Sequence, residues 1–332
     1  MRFKTISFEF LMVNNISLIG LGYIGKIHLK LLKDNPNWKI IGIYDIDKAL
    51  TEHLAAQYNV KAFDSLQEAI DESMVLDIVT PSNTHFEIAK QAVIHSKHVF
   101  IEKPVTSNLN DAKQLQRLIQ EAGVSFQVGH VERFNPAFIA ALPYIKSPNF
   151  IEVHRLAQYN SRGTDVSVVL DLMMHDLDLI LSIVDSHVRK IHVSGSTLVS
   201  SKADIVNARI EFENGCVANI TTNRMAFKNS RKFRVFTNNN LVSINLLDKI
   251  TEVIKIKNAD KNSKNLIVEP GNGLPNKEII FEHPIILPTN AINEELNAFH
   301  QSINANKNTK VGIQDAIRVM ELAFNIEEKL KL

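Results

Sequence analysis

Three groups of residues in this chain have the types and spacing to do chemistry. The first is Gly20-Leu21-Gly22-Tyr23-Ile24-Gly25, with Asp45 twenty residues beyond the last glycine. Glycines in that pattern suit a turn that cradles a pyrophosphate. Gly20 permits the tight turn, Gly22 lets backbone approach the phosphates, and Gly25 lets a helix lie close on a sheet. The N–H groups at the helix start, at Tyr23 and Ile24, then face the phosphates, aided by the helix dipole. A carboxylate at Asp45 can accept hydrogen bonds from an adenosine ribose and would repel a 2′-phosphate. The next residue is Ile46 rather than arginine, so NAD is expected over NADP. A glycine cluster alone could be a structural turn. Here apolar runs at 16–19 and 40–44 flank a helical pattern, so strand, turn, helix, strand and acid stand in the order that dinucleotide binding needs.

The second group sits where strands are expected to end. Thr80-Pro81-Ser82-Asn83 starts at the last residue of the apolar run 74–80, and Glu102-Lys103-Pro104 follows the run 98–101. In an open parallel sheet, ligands bind beyond the carboxyl ends of the strands. Pro104 disfavours helical geometry at Lys103 and holds it at the sheet edge. An ammonium there could stabilise an alkoxide, or Lys103 could be a solvated surface lysine; the triplet alone leaves both readings open. The third group is Asp171-Leu172-Met173-Met174-His175-Asp176-Leu177-Asp178. Asp171 and His175 are four apart and share a helical face, with Asp178 one turn on. Ionisable groups on so apolar a helix are expensive unless paired or used. A histidine suits proton abstraction near neutral pH, and an adjacent carboxylate would orient it. The same pair could instead tie the helix to a neighbour. No third ligand stands at characteristic spacing, so no metal is expected.

The elements that must position these groups alternate through the first part of the chain. Strands are expected at 60–63, 74–80, 98–101 and 125–129, besides the first two. Helices fall between them: one capped by Asp47 and running to about 58, then 65–70, a helix after Thr84 to about 94, and 111–122 with Gly123 at its end. Six strands with intervening helices predict a parallel, doubly wound sheet ending near Gly129. Beyond it Asn135 caps a helix with Pro136 at its first position. A strand at 150–157, a polar loop at 158–165 and a long apolar helix at 166–184 follow. The chain then turns β-rich. Runs at 205–212 and 216–222 flank Glu213-Asn214-Gly215, a hairpin signal, and further strands fit 232–236, 241–245 and 252–257. Residues 258–277 read as an exposed loop, and helices at 290–303 and 312–329 close the chain. The fold class is therefore α/β: a Rossmann domain over 1–130, then an α+β domain over 131–332. The second domain carries a large, mostly antiparallel sheet whose free face could support a homodimer or homotetramer.

Bulk properties set limits. A length of 332 residues fits two domains. Hydrophobic content of 45% and charged content of 22% are ordinary for a globular chain. A net charge of +1 makes no electrostatic case for nucleic acid or an anionic membrane. Cys216 is the sole cysteine, which fits a reducing, cytoplasmic setting. No apolar run is long enough to span a bilayer. The first residues lack a signal-peptide pattern and read as an extension, with Met12 as an alternative start.

GLGYIG at 20–25, TPSNTH at 80–85, EKP at 102–104 and DLMMHD at 171–176 together resemble the motifs of the Gfo/Idh/MocA family, in order along nearly the whole chain. The resemblance implies an NAD(P)-dependent sugar or inositol dehydrogenase acting on CH–OH groups. It implies Lys103, Asp171 and His175 as the catalytic trio, with His175 the base, Lys103 the alkoxide-stabilising partner and Asp171 the residue that orients them. It also implies His85 and Glu102, with Lys103, at the cofactor. VGHVERFNPAF at 128–138, RLAQYNSRGTDVSVVLDLMMHDLDLIL at 155–181 and FENGCVANIT at 212–221 are similar to the branch of the family that oxidises C3 of UDP-N-acetylglucosamine. Such enzymes act ahead of an aminotransferase in making diamino-sugars for lipid A or surface glycans. A nucleotide-sugar needs cations for its diphosphate, and Arg133, Arg155 and Arg162 fall in segments that could line the cleft. Each could equally be an ordinary surface charge, and Asn135 is a substrate candidate that helix capping explains as well. The alternatives are a dehydrogenase of another sugar or inositol, and a non-catalytic NAD-sensing protein.

Overall fold

The computed structural model describes residues 13–160, 166–260 and 263–330. The N-terminal extension, the alternative start at Met12, Arg162 and the end of the expected polar loop lie outside the described residues. The chain divides into two compact units. One comprises the described residues through Gly129 together with Ile292–Ile317; the other comprises His130–Ala291 and the described residues from Arg318.

In the first unit strands and helices alternate: β1 (Asn14–Ile19), α1 (Tyr23–Asp34), β2 (Trp38–Tyr44), α2 (Lys48–Tyr58), β3 (Lys61–Ala62), α3 (Leu66–Glu72), β4 (Val75–Ile78), α4 (His85–Ile94), β5 (His98–Glu102), α5 (Leu109–Ala122) and β6 (Phe126–Gly129). The sheet order is β3-β2-β1-β4-β5-β6, and every pair is parallel. This is the doubly wound arrangement, which reverses direction between β1 and β4. The caps expected at Asp47 and Gly123 form, and Ser65 adds one that carried no expectation. The Asp47 carboxylate accepts from Leu50 N–H at 3.0 Å, and Ser65 Oγ accepts from Glu68 N–H at 3.1 Å. Gly123 ends α5 in the left-handed region at φ +63°.

The second unit holds α6 (Pro136–Ala141), β7 (Phe150–Leu156), α7 (Met174–Ile183), β8 (Val188–Ser196), β9 (Ile205–Phe212), β10 (Val217–Asn223), β11 (Ser230–Phe236), β12 (Asn240–Asn245), β13 (Ile250–Asn258), β14 (Leu266–Val268) and β15 (Lys277–Glu282). Its nine strands run β14-β15-β13-β12-β11-β7-β10-β9-β8. All pairs are antiparallel except β7 with β10. Gly215 turns the expected β9–β10 hairpin at φ +86°. Alternation sets the faces: Val206, Ala208, Ile210 and Phe212 are buried, while Asn207, Arg209 and Glu211 are not.

Three expectations are corrected. The second domain is not one stretch, because α8 (Ala291–Asn304) returns to the first unit. There Leu296 and Phe299 pack with Ile16, Leu32, Trp38, Val75 and Phe100. The last helix, α9 (Ile313–Lys329), contains the division at 317. The long helix at 166–184 is a π-helical turn over Val169–Met173 followed by α7. The segment read as a loop over 258–277 contains β14 and the first residue of β15, and β8 carried no strand expectation.

Candidate functional site

In the first unit the glycine turn and the strand ends form a cleft of about 430 Å³, within the range of small-ligand sites. Gly20 stands at φ +101°, and a Cβ there would come within 2.9 Å of the Val79 and Thr80 backbone. At Gly25 a Cβ would fall 2.1 Å from the Gly20 carbonyl oxygen, so this glycine lets α1 close on the turn itself as well as on the sheet. Gly22 has open space where a Cβ would stand, with nothing within 4 Å. It is also the cap of α1, which has no side-chain cap and no acidic residue in its first turn. A helix start left in that state suits a phosphate. Asp45 directly follows β2, with Oδ2 accepting the Leu21 N–H at 2.6 Å and Oδ1 accepting the Asp47 N–H at 3.0 Å. Tyr23 is 70% exposed and Ile46 91% exposed, leaving apolar surface at the cleft. Open backbone at Gly22, a bare helix start and a carboxylate at the next strand end together fit a dinucleotide.

Not every expected residue reaches this cleft. Gly20, Gly22, Tyr23, Ile24, Asp45, Thr80 and Pro81 line it, and so do Tyr44, Ile46, Val79, Thr84 and Ile88, which sequence reasoning passed over. Ser82 and Asn83 sit in the turn before α4 without lining it. His85 is buried, with Nδ1 2.8 Å from the Pro104 carbonyl oxygen and Nε2 2.8 Å from that of Thr80. Burial pushes its imidazole below the ordinary histidine range, against the pull of those carbonyls. It straps the end of β4 to the segment after β5 rather than meeting a ligand in the cleft.

Glu102 ends β5 and points to a feature absent from the sequence reading. His28 on α1 is fully buried, with Nδ1 2.8 Å from Asp77 Oδ2 and Nε2 3.5 Å from Glu102 Oε1. Burial works against an imidazolium there, but the two carboxylates outweigh it and hold His28 well above the usual histidine range. Glu102 Oε2 accepts the Lys103 backbone N–H at 3.1 Å. Lys103 follows, half-buried, with a cis peptide to Pro104. The apolar setting of His28 within α1 and of Asp77 within β4 offered the only signal, since buried ionisable groups call for partners.

In the second unit Asp171 lies in the π-turn and His175 in the first turn of α7. Both are half-buried, as is Leu172, while Val168, Val169, Met173, Met174 and Leu177 are buried. The expected shared face is thus the accessible one, and single π-turns recur at functional sites. Asp178 turns away from that face. It receives Arg133 in a bidentate pair, Nε to Oδ2 and Nη2 to Oδ1, both at 2.8 Å. Arg155 is buried and gives Asp176 two bonds of 2.7 and 2.9 Å, with a further bond of 3.2 Å to Glu132. Burial opposes its charge, yet Asp176 and Glu132 hold the guanidinium above its ordinary range. Arg133 and Arg155 therefore serve as internal counter-ions and not as cations waiting for a diphosphate. Asn135 is buried too: Oδ1 accepts from Ala137 N–H, and Nδ2 donates to Glu132 and to the Leu246 carbonyl. It caps α6, the alternative that helix capping offered for this residue.

Comparison with known proteins agrees with this geometry. Residues 14–130 match the oxidoreductase family with an NAD-binding Rossmann fold, GFO/IDH/MocA, and residues 145–241 match the GFO/IDH/MocA C-terminal domain. A UDP-N-acetylglucosamine 3-dehydrogenase from Acidithiobacillus ferrooxidans is 31% identical over 236 residues, 70% of this chain and 74% of the relative. A crystal structure under that name superposes with a TM-score of 0.87 at 26% identity, covering 96% of this chain and 98% of the other. A scyllo-inositol 2-dehydrogenase (NAD(+)) from Bacillus subtilis is 25% identical over 63% of this chain and 66% of its own length. The chain belongs to the GFO/IDH/MocA family of oxidoreductases.

Proposed function

We propose that this oxidoreductase uses NAD to convert the C3 hydroxyl of UDP-N-acetylglucosamine to a ketone. The observation that carries the substrate is the similarity, along nearly the whole chain, to UDP-N-acetylglucosamine 3-dehydrogenase. The preference for NAD rests on Asp45, whose carboxylate follows β2 beside the glycine turn with no arginine after it. A 2′-phosphate there would meet a negative charge. Gly20, Gly22 and the start of α1 take the pyrophosphate, and Asp45 takes the ribose.

A bound nicotinamide supplies the hydride acceptor. The chain's own residues handle the proton and the charge. His175 accepts the proton of the sugar hydroxyl at an imidazole nitrogen. Lys103 offers its ammonium to the oxygen as negative charge develops. Asp171 orients His175 and favours its charged form. The non-catalytic NAD-sensing reading leaves the half-buried Lys103, Asp171 and His175 without a task.

A second reading has an observation of its own. With Arg133 and Arg155 committed to internal carboxylates, two of the three cations expected for a diphosphate are unavailable. That favours a smaller, uncharged polyol, as the similarity to an inositol dehydrogenase also does. We further infer self-association through the open face of the nine-stranded sheet. Cross-strand pairs there line up Phe281, Ile254, Leu241, Phe236, Phe150 and Val217 in one apolar row across six strands.

The test is to give the purified protein NAD⁺ with UDP-N-acetylglucosamine, other UDP-sugars, free sugars and inositols, reading both released and bound reduced cofactor. Reduction with the UDP-sugar is expected, and reduction with inositol alone would favour the second reading. Lys103→Ala and His175→Ala should keep NAD binding while turnover falls by orders of magnitude. Undiminished turnover in both would overturn the assigned roles.

A further inference from the structure

The row Asp77, His28 and Glu102 has no place in the chemistry above, yet it ends at Lys103. Asp77 lies on β4, His28 on α1 and Glu102 at the end of β5, so three separate elements meet around one buried imidazole. Asp77 is fully buried and holds Nδ1 of the ring, which points Nε2 at Glu102. Phe100 packs its ring 5.8 Å from the imidazole and closes the apolar side. On β6, Gly129 leaves the room that Glu102 needs, since a Cβ there would stand 2.9 Å from Oε1. One carboxylate oxygen of Glu102 thus faces His28 while the other accepts the Lys103 N–H. A buried ionic row of this kind is costly to assemble and contributes little stability over apolar packing. What such groups do supply is fixed orientation of the residues they hold.

We propose that His28 is a positioning residue for Lys103: by fixing the Glu102 carboxylate between its own ring and the Lys103 backbone, it sets where the Lys103 ammonium stands at the end of β5. The inference rests on Lys103 being the group that stabilises the developing oxyanion. It adds a residue on the first helix, three places beyond the last glycine of the turn, whose effect on turnover passes through Lys103. The charged groups that face His28 are Asp77 from β4 and Glu102 from β5, so replacement by a neutral amide removes the cation between them while keeping a donor.

The experiment is a double-mutant cycle between His28→Asn and Lys103→Ala, with kcat and KM for the best panel substrate and NADH affinity measured in each protein. Misplacing a reacting group by about 1 Å can cost on the order of 100-fold. His28→Asn is therefore expected to lower kcat roughly 10- to 100-fold, with KM and NADH affinity near native. In the Lys103→Ala background the same change should cost nothing further, because the residue it positions is gone. A purely structural role would lower both backgrounds by the same factor, and that additivity would overturn the inference. Native kcat in His28→Asn beside an impaired Lys103→Ala would overturn it alone. Full turnover of Lys103→Ala would instead remove the reading of Lys103, and this inference with it. Should His28→Asn fail to fold, Glu102→Gln takes its place in the cycle under the same criteria.

Discussion

At the scale of single residues, Asp45 holds the glycine turn whether or not a coenzyme is present, because its Oδ2 receives the Leu21 N–H at 2.6 Å. The same carboxylate keeps lone pairs for a ribose. Asp45→Ala should therefore weaken NAD binding by about 10- to 100-fold, as expected for a lost hydrogen bond to a charged group worth roughly 1.5–3 kcal/mol. NADP affinity should fall less or rise, and an unchanged ratio of the two affinities, read by titration, would contradict the ribose contact. Asp45 was legible in the sequence because a fixed spacing from three glycines marks it. His28 and Asp77 were not: they are 49 positions apart, and a lone histidine on a helix carries no periodic signal. The arginines misled for a related reason. A loop arginine reads the same whether it awaits a diphosphate or meets Asp178, 45 positions on.

At the scale of elements, the ion pairs of the second unit fix α7. Arg155 on β7 grips Asp176, and Arg133, just before α6, grips Asp178, so one turn of the helix is tied down from two sides. That holds His175, one residue before Asp176, in register with Asp171. Removing one partner of a buried pair leaves an uncompensated charge and costs about 3–5 kcal/mol. Arg155→Ala should lose stability on that scale in denaturant titration. A variant with native stability and a weakened affinity for UDP-sugars would return Arg155 to the substrate. The helix itself was legible from its apolar run; its π-turn was not, because one extra residue per turn leaves composition and periodicity nearly unchanged over so short a segment. Strand β14, three residues long inside an Asn- and Gly-rich stretch, lacked the length that alternation needs to be seen.

At the scale of the whole molecule, the parallel sheet was readable because each strand is a short apolar run bounded by turn residues and followed by a helix. The return of α8 to the first unit was not, since an amphipathic helix does not name the surface it will bury. The apolar row from Phe281 to Val217 is the largest-scale consequence of strand register. Phe281 is 61% exposed, and its neighbours in the row are half-buried. Sedimentation should find an oligomer that Ile254→Asp dissociates; a monomeric native protein at micromolar concentration would contradict the proposed contact.

The measurement that reaches the central claim most directly is isotope transfer from UDP-N-acetylglucosamine deuterated at C3. The account predicts deuterium in the reduced nicotinamide, bound or released, and a ketone at C3 of the sugar. A reduced cofactor without deuterium, or a sugar that keeps the label at C3 through turnover, would contradict it.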